Sequence, residues 1–183
     1  GLRDGGYIST ASKGLGDAGE ISIDAGNLLM ENGAIKSEGT HTGSAGSVEL
    51  RLVRGLTLGQ TSSISVTASQ ADGGDIRLTT DGRVILVDSE LTAAAAGDGG
   101  SVRLLGSGNV MLTDSRISAE AGQDGGNIEV RSPDTLVLQR SGLVANAIHG
   151  NGGDIAVAAE GYLPSLQSVV SASSEFGLEG SVE

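Results

Sequence analysis

The sequence lacks several residue types that stabilise small folds. It has no cysteine and no tryptophan, and of 183 residues only 2 are proline, 2 tyrosine and 1 phenylalanine. Without cysteine, a disulfide scaffold and a thiolate metal site are excluded. Scarce proline excludes a collagen-like chain and a proline-rich linker. The core must therefore be narrow and built from Val, Ile, Leu and Ala.

Basic residues are also scarce. The chain has 11 Lys and Arg against 23 Asp and Glu, a net charge of −12. Binding to nucleic acid needs a basic stripe, and binding to an anionic membrane needs basic clusters. No apolar run is long enough to span a bilayer. We therefore expect no nucleic-acid partner and no membrane insertion.

Glycine is abundant, with 31 residues spread along the chain. Each glycine inside a helix costs about 1 kcal/mol relative to alanine, so this density argues against a helical protein. The glycines recur in one motif, "DGGDIRL", which returns as "DGGSVRL", "DGGNIEV" and "NGGDIAV". We take the second glycine of the motif, or the equivalent glycine, as the start of each repeat. Successive starts are 27, 28, 26, 26, 27 and 27 residues apart, and they are Gly19, Gly46, Gly74, Gly100, Gly126, Gly153 and Gly180. Such a fixed period predicts a repeat architecture.

Each period contains three short segments of alternating apolar residues. In the repeat that starts at Gly74 they are Ile76/Leu78, Val84/Leu86 and Leu91/Ala93. Alternation over a few residues, bounded by turns, indicates strands, and no segment has the 3.6-residue stripe of a helix. Strands too short to bury their own apolar face must stack on the next repeat.

These observations predict an all-β, single-stranded parallel β-helix with about 27 residues and three short strands per coil, and six to seven coils. Because parallel crossovers are right-handed in about 98% of cases, we expect a right-handed coil. A propeller blade needs 40 or more residues. A sandwich would show turns every 8–12 residues without such similar copies.

The stretches "GDAGEISIDAGNLLMENGAIKSEG", "NGGDIAVAAEGYL" and "SASSEFGLEGSVE" resemble the repeat region of filamentous-haemagglutinin-like exoproteins, especially cyanobacterial members. The resemblance implies a structural or adhesive rod, secreted to the bacterial surface through the outer-membrane pore of two-partner secretion. It implies surface glycans or proteins of a host or neighbouring cell as further partners. Residues 1–183 are expected to form one β-helix segment, internal to a longer exoprotein.

The glycine motif admits a functional and a structural interpretation. A phosphate loop needs a helix after the glycines, whereas here a strand follows. We therefore expect a turn with positive φ at one or both glycines. The preceding acids Asp72, Asp98 and Asp124 lie on consecutive coils and should stack. They are either ordinary turn residues or a weak calcium site, which would make melting depend on the metal.

No residue is assigned a catalytic, cofactor-binding or metal-binding role. Outward positions predict ion pairs Glu49–Arg77 and Arg103–Glu129 between neighbouring coils. The histidines, His41 and His149, are about four coils apart and cannot share a metal. A polysaccharide-acting enzyme remains the main alternative because many such enzymes are β-helices. It would need a local break in the repeat, and the clearest break is at 158–171, around Pro164.

Overall fold

The computed structural model describes residues 1–183 and contains strands, turns and loops but no helix. It accordingly has no helix that could cross a membrane. Every strand pairing is parallel. The all-β parallel architecture expected from the sequence is thus confirmed.

The strands stack in three columns, one for each apolar segment of the repeat. The first column contains β3 (Ile21–Ala25), β6 (Val48–Leu52), β9 (Ile76–Thr80), β12 (Val102–Gly106) and the first halves of β15 (Ile128–Gln139) and β17 (Ile155–Pro164). The second contains β1 (Leu2–Arg3), β4 (Leu28–Glu31), β7 (Gly55–Gly59), β10 (Arg83–Val87), β13 (Val110–Thr113) and the second halves of β15 and β17. The third contains β2 (Tyr7–Ser12), β5 (Ala34–Gly39), β8 (Ser63–Ala68), β11 (Glu90–Ala95), β14 (Arg116–Ser118), β16 (Gly142–Val144) and β18 (Val169–Ser171).

Each strand pairs with the equivalent strand of the next repeat. In the first column Val48 pairs with Ile76, Ile76 with Val102, and Val102 with Ile128. One repeat of about 27 residues is therefore one turn of a β-solenoid, and the six strands of the first column correspond to about six turns. Neighbouring turns are separated by the usual strand spacing of about 4.8 Å.

The columns form two hydrogen-bonded sheets, not three. β15 and β17 pass from the first column into the second without a break, which joins both columns into one large sheet, while the third column is a separate seven-stranded sheet. The β15–β17 pairing shifts register between Ser132 and Thr135. Pro164 is the last residue of β17, which pairs with no strand other than β15, and a missing amide donor is tolerated on such an edge strand. The extra residue lies on β15, and the β17 side of the shift, Ala159 to Gly161, falls within the expected break at 158–171.

The core follows the predicted inward columns. It is one cluster of 33 buried residues, nearly all Val, Ile, Leu and Ala. Ile76, Leu86 and Leu91, one from each column of the same turn, are at most 1% exposed. Small residues such as Ala93 and Ala119 occupy the second inward position of the third column and are fully buried. The predicted inward assignment is confirmed.

Candidate functional site

Each coil has three corners. The first corner joins the first column to the second, the second corner joins the second column to the third, and the third corner joins the third column to the first column of the following coil. The glycine motif forms the third corner. Only Gly5 and Gly55 among the glycines have positive φ, so the prediction of positive φ in the motif is wrong. A Cβ on Gly74 would instead lie 2.5 Å from the carbonyl oxygen of Gly46. The motif is glycine because the backbones of neighbouring coils approach too closely for a side chain.

The non-glycine residues with positive φ lie at the second corner. They include Asn32, Thr61, Asp88, Asp114 and Arg140, with φ between 48° and 61°. Asn and Asp adopt this left-handed conformation more readily than other side chains, while β-branched Thr61 is costlier there. The corner is therefore built on polar residues whose sequence signal is only a single Asn, Asp or Arg after the second strand.

Buried serines next to these residues connect the coils at the second corner. The Ser89 amide donates to Ser115 Oγ at 3.1 Å, and the Ser115 amide donates to Ser141 Oγ at 3.1 Å. Ser115 Oγ itself donates to the carbonyl oxygen of Thr113 at 2.7 Å. Ser89 and Ser115 are at most 5% exposed. Each hydroxyl satisfies one amide of the preceding coil and one carbonyl of its own, as buried polar groups require.

The aspartates of the glycine motif stack as predicted, and their carboxylates have backbone partners. The Asp98 amide donates to Asp72 Oδ1 at 3.0 Å, and the Asp124 amide donates to Asp98 Oδ1 at 3.3 Å. In the last coil the Leu178 amide donates to Asn151 Oδ1 at 3.1 Å. Because Asn151 makes the same contact, the ladder needs an oxygen acceptor and not a charge.

A second acceptor ladder begins each first-column strand. The Ser101 amide donates to Asp75 Oδ1 at 2.9 Å, and the Asp154 amide donates to Asn127 Oδ1 at 2.9 Å. The Ser181 hydroxyl and amide both donate to Asp154 Oδ1, which lowers the pKa of Asp154. The structure contains no group of three or more His, Cys, Asp or Glu side chains placed to hold a metal ion. The acids at this corner serve as acceptors for the next coil.

A polar groove of about 710 Å³ runs along the second corner and the outer side of the third column. Its charged residues are Asp88, Glu90, Asp114, Arg116 and Arg140, and only two of its 15 lining residues are hydrophobic. Charges that repeat along the rod could bind a polar, extended ligand. No histidine lines the groove, so it offers no imidazole base for nucleophilic catalysis.

Ion pairs fix three of the groove's charged side chains, Asp114, Arg116 and Arg140. Arg140 donates to both carboxylate oxygens of Asp114, at 2.6 and 2.5 Å. This hydrogen bonding holds the pKa of Asp114 below its usual value. Arg116 donates to Glu120 at 2.7 Å, and the Ser118 hydroxyl donates to the same carboxylate oxygen at 2.8 Å.

The outer side of the first column has one of the two predicted ion pairs. Arg103 and Glu129 pair at 3.3 Å, as expected. Glu49 and Arg77 are neighbours in register, but the pair is not formed. Glu49 instead binds Arg51 at 2.6 Å and Arg77 binds Asp75 at 2.7 Å. Residues two apart in one strand share a face, so the acid on the same strand competes with the neighbouring coil.

The remaining candidates lie apart. His41 is exposed, and its ring contacts only the neighbouring Thr40 carbonyl oxygen at 3.2 Å. The His149 ring stacks on Phe176 of the next coil, with centroids 5.6 Å apart. In the 158–171 segment, burial raises the pKa of Tyr162. The candidates do not gather into one site.

No protein-family model, no curated protein and no solved structure matches the chain.

Proposed function

We propose that the chain is a structural and adhesive rod segment of a secreted bacterial surface exoprotein of the filamentous-haemagglutinin type. The supporting observation is the continuity of its inter-coil contacts. The core columns run through all three strand stacks, and no buried side-chain polar atom lacks a hydrogen-bond partner. A catalytic centre usually requires a local departure from such regularity. The similarity of its repeats to those of surface exoproteins supports secretion by the two-partner route.

The mechanical role follows from the direction of the hydrogen bonds. Backbone bonds between coils, such as Val48 N to Asp75 O at 2.8 Å and Val102 N to Asn127 O at 2.8 Å, lie along the rod axis. The side-chain ladders at the second and third corners add bonds in the same direction. Separating two coils would break many of these bonds together, so the rod is suited to act as a stiff spacer.

The adhesive role is assigned to the polar groove. Its Asp, Glu and Arg side chains offer donors and acceptors on three consecutive coils, which suits the hydroxyl groups of a surface glycan. The same groove favours the alternative of a polysaccharide-acting enzyme. Against that alternative, the low pKa of Asp114 makes this carboxyl a poor general acid near neutral pH. For the alternative of a calcium-stabilised rod, the stacked acids already accept backbone amides.

Surface display is the direct test. An antibody against the 183-residue chain should label intact cells of the source bacterium, and external protease should remove the label. Disruption of the cognate outer-membrane pore should abolish labelling while the protein remains detectable in lysates. A cytoplasmic protein that stays protected from protease is the control. Full protection of the chain in intact cells would contradict the proposal, and release of sugar fragments from an acidic polysaccharide would favour the enzyme.

A further inference from the structure

The outer face of the second column is apolar along the whole rod. Its central outward position is held on six consecutive coils by residues that pair in register: Leu29, Thr57, Ile85, Met111, Val137 and Leu163. Five of the six are apolar. The equivalent outward position of the first column is mostly charged, with Glu49, Arg77, Arg103 and Glu129 among its members.

This face has the character of a sheet surface that is covered. The second-column strands have uninterrupted apolar triplets, such as Val84–Leu86 and Val110–Leu112, in place of alternation with polar residues. Such runs are typical of strands buried on both faces. Yet no strand or loop of the chain covers this line, in which Met111 is 39% and Leu163 60% exposed and Leu29, Ile85 and Val137 are half-buried.

The positions that flank the apolar line keep the face flat and nearly free of charge. Gly55 and Gly59 lie on either side of Thr57, and the next coils have Asn109 and Thr113 around Met111. The charged side chains on the strands of this face are Arg3 and Glu31, which form a salt bridge at one end of the rod, and Arg83. The face is therefore unlike a solvated sheet surface.

We propose that this face packs against the same face of a second copy of the chain, side by side, with the coils of both copies advancing in the same direction. The apolar side chains form ridges repeated at the strand spacing of about 4.8 Å. A second copy of the chain has ridges with the same spacing. Its side chains can therefore interdigitate with these ridges along the whole length of the face. This pairing is independent of the proposed function.

Charge favours the parallel arrangement. Arg83 and Asp88 lie in the same coil at opposite edges of the face, both are exposed, and neither forms a salt bridge within the chain. A two-fold axis along the rods places Arg83 of each copy at the height of Asp88 of the other. The antiparallel arrangement would bring like edges together, so Arg83 of one copy would not face Asp88 of the other.

The area suits a weak, reversible dimer. Six coils spaced by about 4.8 Å, each with a strand about 17 Å long, give a face of about 490 Å² per copy. Both copies together would bury about 1,000 Å², which is the lower limit for a specific interface.

Sedimentation velocity of the full chain over a wide range of concentration tests the proposal. The wild type should show a concentration-dependent dimer. The double variant Ile85→Lys/Met111→Lys should raise the dissociation constant about tenfold or more. The matched control Thr79→Lys/Leu105→Lys adds the same charge on the same two coils, on the outer side of the first column, and should leave the dimer unchanged. A monomer at every concentration, or a dimer equally weakened by both double variants, would overturn the proposal.

A charge exchange tests the orientation. Arg83→Asp and Asp88→Arg should each weaken the dimer, and the combined variant should restore it. Arginine is compatible with the corner at position 88, because Arg140 occupies the equivalent left-handed position with φ 48°. Circular dichroism should show unchanged folding in all three variants. If the combined variant associates no better than the single ones, the parallel pairing is wrong.

Discussion

Gly100→Ala should destabilise the chain by about 3 kcal/mol or more, although Gly100 has no positive φ. A Cβ at this position would overlap the carbonyl oxygen of Gly74 in the neighbouring coil. That atom belongs to a backbone fixed on both sides by inter-coil hydrogen bonds, so the overlap can be relieved only if the coils move apart. Thermal or urea unfolding followed by circular dichroism would measure the loss.

Gly106→Ala, in the same coil, is the matched control. A Cβ there would meet its nearest atom at 3.7 Å, an ordinary contact. We expect a change within about 0.5 kcal/mol. Equal effects of the two substitutions would mean that close approach between coils is not the reason for glycine in the motif.

Ile76→Asp should unfold the coils around it, with a loss of about 4 kcal/mol or more. The side chain is 1% exposed and stacks in register between Val48 and Val102. The substitution removes a buried aliphatic group and places a carboxylate among Val, Ile and Leu without a partner. Circular dichroism should show lost strand signal and a lower melting temperature.

Thr79→Asp tests the opposite face of the same strand. Thr79 is exposed and points away from the core, so its substitution should change stability by less than about 0.5 kcal/mol. If Ile76→Asp kept the melting temperature of the wild type, the inward assignment of Ile76 would be wrong.

The fold could be predicted because two periods coincide in the sequence. Within a strand, every second residue is apolar and points inward, as Ile76 and Leu78 do. The repeat of about 27 residues places each of these residues above the equivalent residue of the neighbouring coil. The corners were less predictable. The glycine motif was expected to supply the left-handed residues, whereas Asp88 and Asp114 do so. Glycine spacing alone does not distinguish a residue that needs positive φ from one that has no room for a Cβ.

The ion pairs on the surface could not be predicted from the repeat alone, because residues within one coil compete with residues of the neighbouring coil for the same charged partner. Glu49 and Arg77 are neighbours in register, but each forms an ion pair with a residue two positions away in its own coil, Glu49 with Arg51 and Arg77 with Asp75. The serine ladder through Ser115 was missed because a serine at a turn is common in any sequence. The apolar outer face was visible in triplets such as Val84–Leu86, but only the register shows that their central residues form one line.

Each repeat is one turn of the solenoid, and equivalent residues of successive repeats stack at the strand spacing. Because the chain has no cysteine, nitroxide labels can be placed uniquely at Ser22, Glu49 and Ala156, which lie in one outward line of the first column. Double electron–electron resonance, with labelled chains diluted in unlabelled ones, should give about 24 Å for the Ser22–Ala156 pair and about 19 Å for Glu49–Ala156. The two label pairs span five and four coil spacings, so their distances should differ by about one strand spacing, and a different result would contradict the solenoid.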